Sequence, residues 1–360
     1  MTRVFNFSAG PANLPLSVLE EAQKDLVDYK GCGMSVMEMS HRSKDFASII
    51  ETTEADLREL LHMPDNYRVI FMQGGATAQF AAIPMNLMKN GKADYLQTGN
   101  WSKKALTEAK MYGDVNVVAS SEDNNYTAIP DIKGLKFDKD ADYVYICENE
   151  TVYGCKFPEL PDTGNIPLVS DVSSMFLSEP HDVSKYGLLY GGVQKNIGPA
   201  GLAIVIVRDD LVTEEVLPGT PSILNYKKNA DAGSLMNTPN CWGIYMCGLT
   251  FKWLKQLGGL EKIKEINERK AKVLYDYLDQ SKMFKAAVQK ESRSLMNVPF
   301  VTGDADLDAK FVAESAAAGL KSLKGHRSVG GMRASIYNAM PEEGVQALVD
   351  FMEKFEKENA

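Results

Sequence analysis

Seven short β-rich runs, several of them apolar at every position, limit what this chain can fold into more than any other feature. They lie at residues 69–72, 94–97, 116–119, 143–147, 168–171, 188–190 and 202–207. A continuously apolar run is the pattern of a strand covered on both faces, whereas a half-exposed strand alternates. Helical stretches at 77–89 and 101–111 fall between some of the runs. Strand–helix–strand repetition predicts an α/β fold with a mostly parallel sheet. The run Leu257-Gly258-Gly259-Leu260 then punctuates the chain. Beyond it come a helix at 261–280, strands near 295–301 and 331–336, and a helix near 307–318. A last helix opens at Pro341, with Val345, Leu348, Val349, Met352 and Phe355 on one face. The expected division is a large domain over 16–259 and a small one over 260–360, completed by the N-terminal segment 1–15. The length of 360 residues suits two domains.

The formal charge of −9 disfavours a phosphate backbone as a general partner, so nucleic acid is not expected. The longest apolar stretch, at 202–207, is far short of the roughly 20 residues a membrane helix needs. The first eight residues carry no apolar run of the secretory kind. Cys32, Cys147, Cys155, Cys241 and Cys247 show no C-x-x-C spacing and read as reduced, mostly buried thiols. A cytoplasmic protein with neither membrane nor nucleic-acid partners fits these features, and no metal site is expected.

Three motifs carry candidate chemistry. Gln73-Gly74-Gly75-Ala76-Thr77 follows a strand and opens a helix, so its unpaired N–H groups can cradle a phosphate. It is neither a P-loop nor a dinucleotide fingerprint, and an ordinary strand-to-helix turn would look the same. Asp171 ends a short apolar strand, where open α/β sheets place ligands, although capping the next turn is an equal alternative. Lys195 lies between two apolar strands among glycines, where burial would lower its proton affinity and make it a nucleophile. A lysine able to form a Schiff base, a carboxylate for a pyridinium nitrogen and a phosphate cradle are together the needs of pyridoxal phosphate (PLP). Trp101 could stack on such a ring, or simply fill a core.

Longer blocks carry a resemblance. They are Asn6-Phe7-Ser8-Ala9-Gly10-Pro11-Ala12, Met39-Ser40-His41-Arg42-Ser43, the Gly74-Gly75 turn, Gln194-Lys195-Asn196-Ile197-Gly198-Pro199 and Gly325-His326-Arg327-Ser328 through Ala339. In that order the chain resembles the phosphoserine aminotransferases, a family of class V, fold-type I PLP enzymes. The resemblance implies a homodimer with shared sites, L-glutamate and 3-phosphohydroxypyruvate as substrates, and serine biosynthesis as the setting. It adds 4-phosphohydroxythreonine, in pyridoxine biosynthesis, as a second candidate substrate.

By position, Lys195 would be the Schiff-base lysine, Asp171 the partner of the ring nitrogen, Trp101 the stacking wall and Thr151 the partner of the ring hydroxyl. Ala76, Thr77 and Gln194 would hold the cofactor phosphate, with Asn237 and Thr238 reaching it from the other subunit. Some members carry Arg where this chain has Thr77, which shifts the cradle toward backbone N–H groups. Arg333 would take the substrate α-carboxylate, with Ser8 nearby. His41, Arg42, His326 and Arg327 would receive the distal phosphate or the side-chain carboxylate of glutamate. Two His-Arg pairs beside Gly- or Ser-rich turns point independently to an anion site. The alternatives are a cysteine desulfurase, for which Cys32 between two glycines is the candidate nucleophile, an alanine–glyoxylate aminotransferase, or a non-catalytic protein that keeps the fold.

Overall fold

The computed structural model describes residues 3–359. The chain opens with β1 (Phe5–Asn6), α1 (Leu16–Lys24) and α2 (Lys44–Leu60). It continues through β2 (Tyr67–Gln73), α3 (Ala76–Leu87), β3 (Lys92–Gln97), α4 (Asn100–Ala109), β4 (Asp114–Ser120) and β5 (Val144–Cys147). A small hairpin, β6 (Asn149–Glu150) and β7 (Cys155–Lys156), precedes β8 (Leu168–Asp171), β9 (Leu188–Gly192) and β10 (Leu202–Arg208). After α5 (Tyr226–Asp231) come two long helices, α6 (Cys241–Leu257) and α7 (Gly259–Gln280). The chain ends with β11 (Lys285–Ala286), β12 (Asn297–Val301), α8 (Ala305–Ala317), β13 (Leu320–Lys321), β14 (Met332–Ser335) and α9 (Glu342–Asn359).

All seven β-rich runs become strands of one seven-stranded sheet, ordered β2-β10-β9-β8-β5-β3-β4. The pairs from β9 across to β4 are parallel, and β10 runs antiparallel to both its neighbours. The reason is connection length. Only residues 193–201 join β9 to β10, fewer than the dozen or so that a parallel crossover needs. That short turn carries Lys195.

The period-2 geometry of a strand sorts β10 onto two layers. Leu202, Ile204 and Ile206 join the core beneath α1, α2 and α6, whereas Val205 and Val207 join the core beneath α3, α4 and α5. Burying each such side chain contributes about 1.5–3 kcal/mol. Helices α2 and α6, which the sequence reading did not single out, close the first layer. Its Thr53 even requires a glycine opposite, since a Cβ at Gly248 would meet Thr53 Oγ1 at 2.5 Å.

A third apolar cluster gathers Phe284, Phe300, Phe311 and Phe355 with Leu274 and Leu278 of α7, and Phe7 of the N-terminal segment enters it. Strand β1 pairs parallel with β13, Phe5 opposite Leu320. Helix α7 spans both regions, because Leu260 and Ile263 belong to the first core. All five cysteines are free thiols. No helix among the described residues is long and apolar enough to cross a membrane.

Candidate active site

The parallel strands deliver their C-terminal ends to one edge of the sheet, the edge where open α/β folds hold ligands. From that edge β2 leads into Gly74-Gly75, β3 into Thr98-Gly99, β5 toward Glu150 and Thr151, β8 ends on Asp171, and β9 leads to Gln194 and Lys195. They enclose a cavity of about 260 Å³ lined by Ala76, Thr77, Trp101, Asp171, Gln194 and Lys195.

Gly74 and Gly75 have φ of 97° and 83°, a region open to glycine and strained for other residues. This turn starts α3 with no side-chain cap, and the N–H of Ala76 meets no acceptor among the described residues. A Cβ at Gly192 would lie 3.2 Å from that nitrogen and 2.8 Å from Gln194 Oε1. Glycine there keeps the space in front of the helix end open. Gln194 Oε1 is itself buried without a partner among the described residues.

Lys195 Nζ donates to Thr151 Oγ1 at 2.6 Å and lies 4.9 Å from the centroid of the Trp101 ring. Burial pushes its proton affinity down, against the opposing charges of Asp171, Cys147 and Glu150. A neutral amine is therefore easier to reach at Lys195 than at an ordinary surface lysine. Asp171 is buried, and its Oδ1 accepts from the Ser173 N–H at 2.9 Å and the Ser173 hydroxyl at 2.6 Å. Its Oδ2 accepts from the Tyr190 hydroxyl at 3.3 Å, and that hydroxyl shares a 2.8 Å bond with Tyr145. Arg333 reaches the same place from β14, donating Nη1 to the Thr151 carbonyl at 3.1 Å.

Other expected residues stand apart from this cavity. Thr238 offers its carbonyl to Gln73 Nε2 at 2.6 Å, and Asn237 Nδ2 turns to the same carbonyl, so neither lines the cavity of its own chain. His41 is buried with Nε2 unpartnered, while the neighbouring Arg42 is exposed. His326 and Arg327 line a second hollow of about 290 Å³ against α8. His326 Nδ1 lies 2.7 Å from the Ser328 hydroxyl. Desolvation, then Arg333, Arg327 and Lys104, lower the proton affinity of His326, so these cations share one field. Ser8 Oγ accepts from the Gly10 N–H, and Gly10 lines the cavity.

The sequence reading missed Ser173, Tyr190, Glu150 and Lys104. Ser173 was within reach, since Asp followed two residues later by an N–H donor is an Asx turn. Tyr190 needed the β8–β9 register, which sets it opposite Asp171. Lys104, whose Nζ lies 4.6 Å from the Trp101 ring centroid, carries no local signature.

The sequence profile of the family described as aminotransferase class-V matches residues 4–348. The chain belongs to the class-V aminotransferases. Among relatives of this class-V chain, the phosphoserine aminotransferase of Nitrosomonas europaea is 54% identical over 368 residues, covering 100% of both chains. Solved structures agree. The phosphoserine aminotransferase from Bacillus circulans subsp. alkalophilus is 47% identical with a TM-score of 0.97, over 99% of each chain. The PLP-bound phosphoserine aminotransferase from Trichomonas vaginalis is 40% identical with a TM-score of 0.93, over 98% of this chain and 100% of that one. The cavity of this class-V enzyme fits the same group. It offers an uncapped helix end with a free N–H for a phosphate, a buried carboxylate for a ring nitrogen and a partly buried amine beside an aromatic wall.

Proposed function

We propose that this class-V enzyme is a phosphoserine transaminase that uses PLP. It moves the amino group of L-glutamate to 3-phosphohydroxypyruvate, giving O-phospho-L-serine and 2-oxoglutarate. The observation that carries this reading is the convergence of Lys195, Asp171 and the uncapped start of α3 on one cavity. Relatives more than half identical over the whole chain support the choice of substrate.

Bound there, PLP supplies a carbonyl that takes up the amino group and a ring that accepts the electrons freed when the α-proton leaves. The chain's own residues do the rest. With PLP bound, Lys195 would be the group that carries the proton between the substrate α-carbon and the cofactor carbon, and its lowered proton affinity suits it to both directions. Asp171 keeps a proton on the ring nitrogen. Trp101 would wall one ring face, and Thr151, which accepts from Lys195, would also hold the ring hydroxyl. The N–H groups of Ala76 and Thr77, with Gln194, hold the cofactor phosphate.

Arg333 receives the α-carboxylate, beside Ser8. His41, Arg42, His326 and Arg327 receive the distal anion, either the phosphate or the γ-carboxylate of glutamate. In this reading the enzyme is a homodimer, and Asn237 and Thr238, which do not line the cavity of their own chain, serve that of a second copy. In the same reading residues 16–259 form the cofactor domain and residues 260–360 with 1–15 the small domain, in a cytoplasmic enzyme of serine biosynthesis. Cys32 lies outside the cavity, and nothing in the site favours sulfur chemistry.

The test starts with the visible spectrum of purified protein. Adding glutamate should bleach the cofactor band, and 3-phosphohydroxypyruvate should restore it with release of phosphoserine. Lys195→Ala should lose both the band and turnover, and retained multiple turnovers would overturn the assignment.

A further inference from the structure

Glu150 is fully buried and plays no part in the mechanism above. Its two carboxylate oxygens lie 2.9 and 3.2 Å from the backbone nitrogen of Trp101, the second residue of α4. The residue before that helix, Gly99, has no side chain to cap it. A Cβ at Gly99 would overlap the Glu150 side chain. The helix that carries the aromatic wall is thus capped from a distant hairpin, through a gap that only glycine leaves open. The next residue, Thr151, accepts from Lys195. Consecutive residues of one hairpin therefore hold the wall and the amine.

We propose that Glu150 is a positioning residue for this cavity, anchoring Trp101 over Lys195 and tuning the proton affinity of the Lys195 amine with its charge. A buried carboxylate is costly to retain, and an apolar residue of similar volume would remove that cost. The groups that face it are the Trp101 N–H from α4, Lys195 from the β9–β10 turn, Cys147 from β5 and Asp171 from β8. Burial raises its own pKa to about 7, so its charge changes within the working range of an enzyme. Asp171, Cys147 and Arg333 also act on Lys195, and of the two carboxylates in that set Glu150 is the one that the catalytic scheme leaves unassigned.

The inference rests on the PLP reading, and its test separates the two. Glu150→Gln keeps an acceptor for the Trp101 N–H and removes the charge. In the reconstituted holoenzyme it should lower the pH midpoint of the cofactor's visible absorbance by about one unit, since an anion beside the amine raises its pKa. In the apoprotein the pH midpoint for trinitrobenzenesulfonate labelling of Lys195, followed by peptide mass spectrometry, should fall likewise. Gly99→Ala leaves the charge in place and displaces the carboxylate, so it should weaken the visible circular dichroism of the bound cofactor. Midpoints unchanged in Glu150→Gln together with unaltered dichroism in Gly99→Ala would overturn the proposal. A wild-type protein that binds no PLP would instead overturn the functional reading, and apoprotein labelling would still decide the role of Glu150.

Discussion

Ala76→Pro would isolate one hydrogen bond in the cofactor cradle. Ala76 is the first residue of α3, after Gly75 with φ 83° and ψ −176°. Proline is favoured at that position because its fixed φ suits a helix start and its missing N–H has no helical acceptor anyway. The extended ψ of Gly75 also suits the residue before a proline. The substitution therefore keeps the helix and deletes the N–H that faces the open space in front of Gly192. A hydrogen bond to a charged group contributes about 1.5–3 kcal/mol, which is about 10- to 100-fold in Kd. Titrating apoprotein with PLP by visible absorbance should show that loss. Pyridoxal, which lacks the phosphate, should bind wild type and variant within about twofold of each other. Equal losses for both ligands, or unchanged PLP affinity with an unchanged Tm, would refute the placement of the phosphate at this helix end.

Asp171→Asn should leave PLP bound but reduce kcat by at least about 100-fold, because a neutral amide cannot hold the ring nitrogen protonated. Steady-state rates within threefold of wild type would refute that role. Arg327→Ala should lower kcat/KM for 3-phosphohydroxypyruvate by about 10- to 100-fold while sparing pyruvate, and parallel losses would rule out phosphate reading. Lys270 is buried and donates to the carbonyls of Ile336, Tyr337 and Met340 at 3.0, 2.7 and 3.1 Å. Burial lowers its pKa from 10.5 to about 7, so between those values the unfolded chain binds the extra proton. Stability must therefore rise with pH across that window, by at most about 1.4 kcal/mol per unit. Relative to Lys270→Met, urea unfolding of wild type should gain about 2–3 kcal/mol from pH 7 to pH 9, and a constant difference would refute the shift.

The resemblance of five sequence blocks located most of the cavity, and the bare motifs at Gly74-Gly75, Asp171 and Lys195 located its three chemical poles. What these motifs left open is instructive. Glycine pairs and strand-end aspartates are common in α/β chains, so each alone fitted a turn or a cap equally well. The structure brings all three to one cavity, and that meeting depends on strand order. The His-Arg pairs show the converse. His41 and His326 look alike in sequence, yet His41 lies buried with an orphaned nitrogen while His326 lines a separate hollow. Glu150 was invisible because its partner is a backbone N–H forty-nine residues away, and no side-chain pattern records such a bond.

The sequence by itself determined the seven strands of the large sheet. Local periodicity follows from the period of two in a strand and 3.6 in a helix, and the nine residues around Lys195 were too few for anything but an antiparallel return. The tertiary structure alone decided the electrostatics. The depressed proton affinity of Lys195, the Tyr190 hydroxyl on Asp171 and the raised pKa of Glu150 all depend on groups that only the fold brings together. Desolvation depends on everything that surrounds a charge, and only folding brings those surroundings together.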